Sequence, residues 1–192
     1  MKVALRPMAA GDQDRVRAWR NAPHVAAYMY TEGEIDAETH ARWFAATLAS
    51  TDRRYWIIEA DDAPVGVAAL TWIEWDSHRC EWAYYLGDPT TRGQGIGSAV
   101  EFIVIEHVFG PMGLNKLACE VLTENEAVWK LHMAFGFARE ALYRDHVWKA
   151  GRFQDVMGLA LLARDWPAAR PAAEARLRTK GYDPDKLRVR EI

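Results

Sequence analysis

Cysteine is nearly absent. The 192 residues include two, Cys80 and Cys119, too few for a disulfide framework or a cysteine-rich metal cluster. A long apolar run is missing as well, so no segment reads as a bilayer span. The first residues, Met1 to Asp14, turn charged at once and lack the apolar core of a signal peptide. Positive charge is not in excess either: 24 Lys and Arg stand against 27 Asp and Glu, a formal net charge of −3. Non-specific nucleic-acid binding depends on surplus cationic side chains and is therefore not the expected activity. The expected setting is the cytoplasm, with no metal and no membrane or nucleic-acid partner. What the chain has in plenty is tryptophan, nine residues, on an apolar content of 50% and a charged content of 27%. Those proportions describe a folded soluble domain.

Along the chain, strand and helix signals alternate. Lys2–Arg6 reads as a strand. Helices are expected after Asp12, from Pro23 to Tyr28, and after Asp36, where Trp43, Phe44 and Leu48 recur at helical spacing. Tyr55–Glu59, Val65–Trp75 and Cys80–Leu86 follow as three antiparallel strands, separated by turn residues at 61–64 and 76–78. A glycine-rich loop then enters an amphipathic helix carrying Val100, Ile103, Val104 and Val108. Lys116–Thr123 is a strand, and Asn125 caps a helix that Gly136 closes. Arg139–Trp148 and Phe153–Leu162 make a last hairpin. The character changes after Trp166: residues 1–166 carry 17 Lys and Arg against 23 Asp and Glu, residues 167–192 seven against four. The expected organisation is one domain over 1–166 and a basic, partly helical tail over 167–192, with a helix within Ala172–Lys180.

The loop Arg92-Gly93-Gln94-Gly95-Ile96-Gly97 sits between a strand and a helix. Glycines let backbone N–H groups approach an anion, and the helix N-terminus adds partial positive charge. Arg92 can add a formal charge against phosphate. The loop lacks the Gly-Lys-Ser/Thr end of a P-loop and the spacing of a dinucleotide fold. On its own it would also serve as a plain turn.

In context it says more. Arg92-x-x-Gly95-x-Gly97 resembles the acyl-CoA pyrophosphate loop of the GNAT superfamily of N-acetyltransferases. The stretch Asn125-Glu126-Ala127 to Leu131-His132 and Gly136-Phe137 resembles that superfamily's second motif. The two stand in the right order behind a three-strand meander. The resemblance implies an α/β (α+β) fold: a mixed sheet of about seven strands with an antiparallel meander, splayed fourth and fifth strands, and flanking helices. It implies acetyl-CoA as co-substrate and direct attack by an amine, without an acyl-enzyme, so Cys80 and Cys119 are expected only to pack. The pantetheine arm would pair with backbone near Leu86 and Gly87, and the pyrophosphate would meet Arg92 and the amides of Gln94, Gly95, Gly97 and Ser98. His132 stands where many relatives carry the tyrosine assigned as the acid that meets the sulfur, and imidazole can serve there. Asn125 would cap its helix and touch the cofactor arm. Glu120 points away from the apolar set Leu117, Cys119 and Val121. Glu120, or Glu81, could orient the amine or take its proton; an ion-paired strand carboxylate is the plain alternative for each.

A closer likeness lies on the acceptor side. Arg20-Asn21, Met29-Tyr30-Thr31, His40-x-x-Trp43, Glu81 to Tyr85, Leu114 to Leu117, Glu120 to Asn125 and Arg144 to Val147 resemble the sugar-nucleotide N-acetyltransferases of the pseudaminic-acid pathway. That likeness implies acetylation of the 4-amino group of a UDP-linked 4-amino-4,6-dideoxy sugar, feeding flagellin glycosylation. Met29, Tyr30, Trp43, Tyr84 and Glu120 would line the sugar pocket, and Arg20 and His40 would meet the nucleotide or its phosphates; core packing on the meander is the alternative for Trp43 and Met29. A homodimer is left open. An acetyltransferase for protein N-termini or aminoglycosides would instead show an acidic acceptor side. A non-catalytic acyl-CoA-binding module would keep the loop and lack the proton donor.

Overall fold

The computed structural model describes residues 1–190. Val3–Pro7 (β1) is followed by three helices, Gln13–Asn21 (α1), Pro23–Ala26 (α2) and Ala37–Ala49 (α3). Arg54–Ala60 (β2), Ala63–Glu74 (β3) and Arg79–Leu86 (β4) form the antiparallel meander. Ile96–Phe109 (α4), Lys116–Leu122 (β5) and Glu126–Ala134 (α5) come next, then the hairpin of Ala138–Lys149 (β6) and Arg152–Leu162 (β7). Trp166–Thr179 (α6) and the two-residue strand Arg188–Val189 (β8) are the last of these elements.

The strands make one mixed sheet in the order β6-β7-β5-β4-β3-β2-β1-β8. The β4–β5 and β1–β8 pairs are parallel and the rest antiparallel. Among the described residues the mixed sheet has eight strands where about seven were expected; the additional one, β8, is too short to show an alternating pattern. Local chemistry explains the sharpest corners. Asp61 and Asp62 both hold positive φ, 47° and 64°, as a two-residue hairpin turn demands. The Asp36 carboxylate accepts from the Thr39 amide and caps α3. Asp12 stands at the head of α1 without capping it. Its buried carboxylate instead accepts from both terminal nitrogens of Arg6, each at 2.7 Å.

The core corrects the reading of the C-terminal segment as a tail. Helix α4 is buried on most of its faces, between the sheet and α6. Trp166, Ala173, Leu177 and Tyr182 belong to the same apolar cluster as α4 and the central strands. The Trp166 indole N–H donates to Glu106 at 2.6 Å, and Arg170 donates to the same carboxylate at 3.0 Å. Beyond α6 the chain pairs β8 with β1, and Arg190 reaches Glu59 at 2.7 Å, a carboxylate that Arg6 also holds. Charged residues between the few apolar ones hide this packing face in the sequence, and Pro167 sits comfortably in the helix's first turn. Residues 166–190 are thus built into the domain rather than appended to it.

Leu177 is fully buried. Leu177→Ala is expected to cost about 2–5 kcal/mol of stability, read from urea unfolding. A dispensable tail would lose nothing measurable.

Candidate active site

Strands β4 and β5 pair only over Arg79↔Lys116, Cys80↔Leu117 and Glu81↔Ala118. Past that point each keeps its outer neighbour: β4 stays on β3 to Leu86, and β5 stays on β7 to Leu122. The inner edges of residues 82–86 and 119–122 therefore face each other without a ladder, and main-chain groups there lack the usual partner. A cleft of about 990 Å³ opens along this gap, and it runs from the loop before α4 to the α2 end of the molecule.

At the α4 end, Gly95 holds φ +79° immediately before the helix, in the left-handed region that favours glycine. The amides of Ile96 and Gly97 lie in the helix's first turn, where no preceding carbonyl can satisfy them by the helical pattern. Arg92, Gly95, Gly97 and Ser98 line the cleft. Other donors expected at this loop are committed elsewhere. The Gln94 amide turns to the Thr91 carbonyl and the Ser98 amide to the Gly95 carbonyl. Gly87 is also removed from the cleft wall: its N–H donates to Val65, and a methyl group there would lie 2.1 Å from the Trp19 ring. Leu86 does line the cleft.

The floor of the cleft holds a buried ionisable pair. His132 Nδ1 lies 2.8 Å from Glu101 Oε1, with His132 3% exposed and Glu101 fully buried. Trp82 packs edge-on to the imidazole at 5.1 Å, and Phe137 lies 5.3 Å away. Burial pulls the imidazole pKa down, but the Glu101 charge and bonds to Cys119 and Glu101 outweigh it and raise the group to about 10. Burial likewise pushes the Glu101 carboxyl up. The pair consequently keeps a proton at neutral pH. Burial also raises the Cys119 and Cys80 thiols, which leaves both poorly ionised.

At the α2 end the Tyr30 hydroxyl donates to Glu120 Oε2 at 2.9 Å, joining residues 90 apart in sequence. Glu81 lies on the same side. Burial, and then the neighbouring Glu120 charge, raise its carboxyl above the ordinary value. Met29 and His24 complete this wall, and Lys149 fixes it by donating to the Ala26 and Met29 carbonyls at 3.0 and 2.7 Å.

Several expected substrate residues lie elsewhere. Trp43 packs edge-on against Tyr55 at 5.5 Å, in the smaller apolar cluster of Met8, Val16, Phe44, Ile57 and Val67. His40 is buried between Trp43 and Phe44. Arg20 donates to Thr31 at 3.1 Å and does not line the cleft. Tyr84 does line it, but its hydroxyl sits beside Gly97, at the α4 end and not among the acceptor residues. Asn125 lines the cleft at the head of α5 without a side-chain capping bond. Sequence reasoning missed Glu101, whose signal was a lone acid within the apolar run from Ala99 to Ile105. It also missed Arg176 and Lys180, which line the cleft as well.

Residues 2–138 match the family model described as "Acetyltransferase (GNAT) domain". The chain belongs to the GNAT acetyltransferase family. Its GNAT relatives include the uncharacterized N-acetyltransferase p20 of Bacillus licheniformis, 27% identical over 86% of this chain and 95% of that protein. The acetyltransferase PseH of Campylobacter jejuni is 25% identical over 59% of this chain and 69% of that one. In fold, the chain matches a crystal structure of spermidine N-acetyltransferase from Vibrio cholerae in complex with CoA and spermine. The TM-score is 0.81 at 20% identity, with 86% and 98% of the two chains covered. GNAT membership makes the chain an acetyl-CoA-dependent N-acetyltransferase. The groups present suit that co-substrate. The unladdered strand edge can receive an amide-bearing arm as an added strand would. The Gly95–Gly97 turn suits a diphosphate. The buried Trp82 indole N–H, which has no partner, borders the same gap.

The imidazole proton is present below about pH 10 and lost as pH rises through that value. If it serves the departing sulfur, kcat should not fall until near pH 10. His132→Gln should then lower kcat about a hundredfold with small changes in KM, as steady-state kinetics across pH would show. Unchanged kcat would remove the residue from that role.

Proposed function

We propose that the protein acetylates the primary amine of a small cationic acceptor, which Glu120 and Glu81 receive at the α2 end of the cleft. The observation that carries this reading is the distribution of charge. The cleft's Lys and Arg residues are Arg92, Lys130, Arg176 and Lys180, from the loop before α4 and from α5 and α6. The facing strands β4 and β5 supply Glu81 and Glu120. Arg20, partly exposed and donating to Thr31, and His40, buried between rings, do not line the cleft where a nucleotide diphosphate would have needed them. Two carboxylates with a tyrosine suit an ammonium group, and the spermidine acetyltransferase noted above supports the same class of acceptor.

Acetyl-CoA supplies the thioester. Tyr30 fixes the Glu120 carboxylate, which orients the amine over the gap. Glu81, held above the usual carboxylate range, takes the amine proton directly or through water. The unladdered main-chain N–H groups of β4 and the Trp82 indole N–H are the donors this reading offers to the carbonyl oxygen. As the carbon–sulfur bond breaks, His132 gives its own proton to the sulfur, and solvent takes the proton left on Glu81 and restores that of His132 before the next turnover. Glu101 holds the ring through Nδ1.

A second reading, acetylation of a UDP-linked 4-amino-4,6-dideoxy sugar for flagellin glycosylation, is supported by the motif resemblance and by the similarity to PseH. The placement of Met29 and Tyr30 beside Glu120 suits it as well. Thiol release with polyamines, UDP-4-amino sugars, amino-terminal peptides and aminoglycosides separates these readings. Turnover with polyamines or other cationic amines is expected to exceed turnover with the nucleotide sugar. The reverse order would overturn the first reading in favour of the second. Glu120→Gln should raise KM for the preferred acceptor about tenfold and leave KM for acetyl-CoA unchanged. An unaltered acceptor KM would contradict the role given to Glu120.

A further inference from the structure

We infer that α6, which lies outside the span of the family match, supplies cationic contacts to the phosphates of acetyl-CoA through Arg176 and Lys180. Arg176 lies in the last turn of α6 and Lys180 follows the helix immediately as its C-cap residue. Both line the cleft. A methyl group at Gly95 would lie 2.7 Å from Lys180 Cδ, so the lysine stem rests directly against the turn before α4. Arg176 comes near enough to the cleft floor for its charge to lower the Glu101 carboxyl against the upward push of burial.

Among the described residues of the C-terminal segment, three cations lack an ion pair, Arg176, Lys180 and Arg188, and of these Arg188 sits on β8 away from the cleft. Arg170 is held by Glu106 and Glu174, and Arg178 by Glu174. Lys186 pairs with Asp183, and Arg190 with Glu59 and Asp62. Among the described residues no carboxylate lies within ion-pair distance of Arg176 or Lys180. Two unpaired cations beside a glycine turn and the exposed Arg92 make a phosphate site of higher charge than the loop alone. The segment also sets the loop's position: the Tyr182 hydroxyl donates to the Gln94 carbonyl at 2.8 Å, within the span of glycines. The buried residues of α6 therefore hold the cations in place from below, and the exposed ones face the cofactor. The basic character of residues 167–192 acquires a use that composition left open.

Calorimetric binding of CoA tests this without any acceptor, so its result is independent of which amine the enzyme acetylates. Arg176→Ala with Lys180→Ala should weaken CoA binding about tenfold or more and flatten its dependence on salt. The unfolding midpoint should stay in place, because both side chains are exposed. Arg176→Lys with Lys180→Arg should retain most of the affinity. Dephospho-CoA locates the contact. If the variant binds it as well as wild type does, the partner is the 3′-phosphate; if the loss persists, the partner is the diphosphate. Unchanged CoA affinity and salt dependence in the double alanine variant would overturn the inference. So would a loss that adding charge back at both positions fails to restore.

Discussion

The early end of the ladder between β4 and β5 is the constraint on which the rest depends. Three residue pairs join the strands, and then each continues alone on its inner side. A buried strand edge without a partner is costly, so the arrangement persists only where something else occupies the gap. The outer pairings, β4 with β3 and β5 with β7, hold the two halves of the sheet rigid up to the gap. Helices α4, α5 and α6 close it from one side, and the α2 segment closes it at the acceptor end. Opening a cleft in the middle of a sheet is thus a consequence of register and not of loop flexibility.

The chemistry follows from what the gap exposes on its two faces. Alternation along β4 and β5 sends Cys80, Trp82 and Cys119 toward the helices, and leaves Glu81 and Glu120 toward the acceptor side. On the helix side, Glu101 and His132 form a buried pair that keeps a proton at hand. On the other, burial raises the Glu81 carboxyl above its ordinary value, and the neighbouring Glu120 charge adds to the rise. A protonated imidazole and a carboxylate therefore stand on opposite sides of one opening, the arrangement that the proposed transfer from a thioester to an amine uses. The C-terminal helix packs the far side of α4 and brings Arg176 and Lys180, unpaired among the described residues, to the α4 end of the cleft.

Much of the fold was legible because its signals are local. The Asp61-Asp62 turn, the Asp36 cap, the glycine loop and the meander each depend on a few neighbouring residues. The glycines, Arg92, Asn125, Met29, Tyr30, Glu120 and His132 do meet along one cleft. Contacts between distant residues were not legible. The resemblance sets Tyr30 and Glu120 in one pocket without showing the bond between them, and nothing in the sequence joins Glu101 to His132. Helical spacing showed that His40, Trp43 and Phe44 share a helix, but not that Tyr55 and the smaller cluster would absorb that face. The tail was misjudged for the converse reason: its charges were conspicuous, while the few apolar residues that bind it to the core were spread among them.

The central claim is that acetyl-CoA occupies the unladdered edge between the two strands. Amide hydrogen exchange with and without acetyl-CoA tests it most directly, since a strand-like partner must slow exchange where no ladder exists. Slower exchange confined to segments 82–86 and 119–122 and to the turn at 92–98 is the result this account predicts. Protection elsewhere, with those strand edges unchanged on binding, would contradict it.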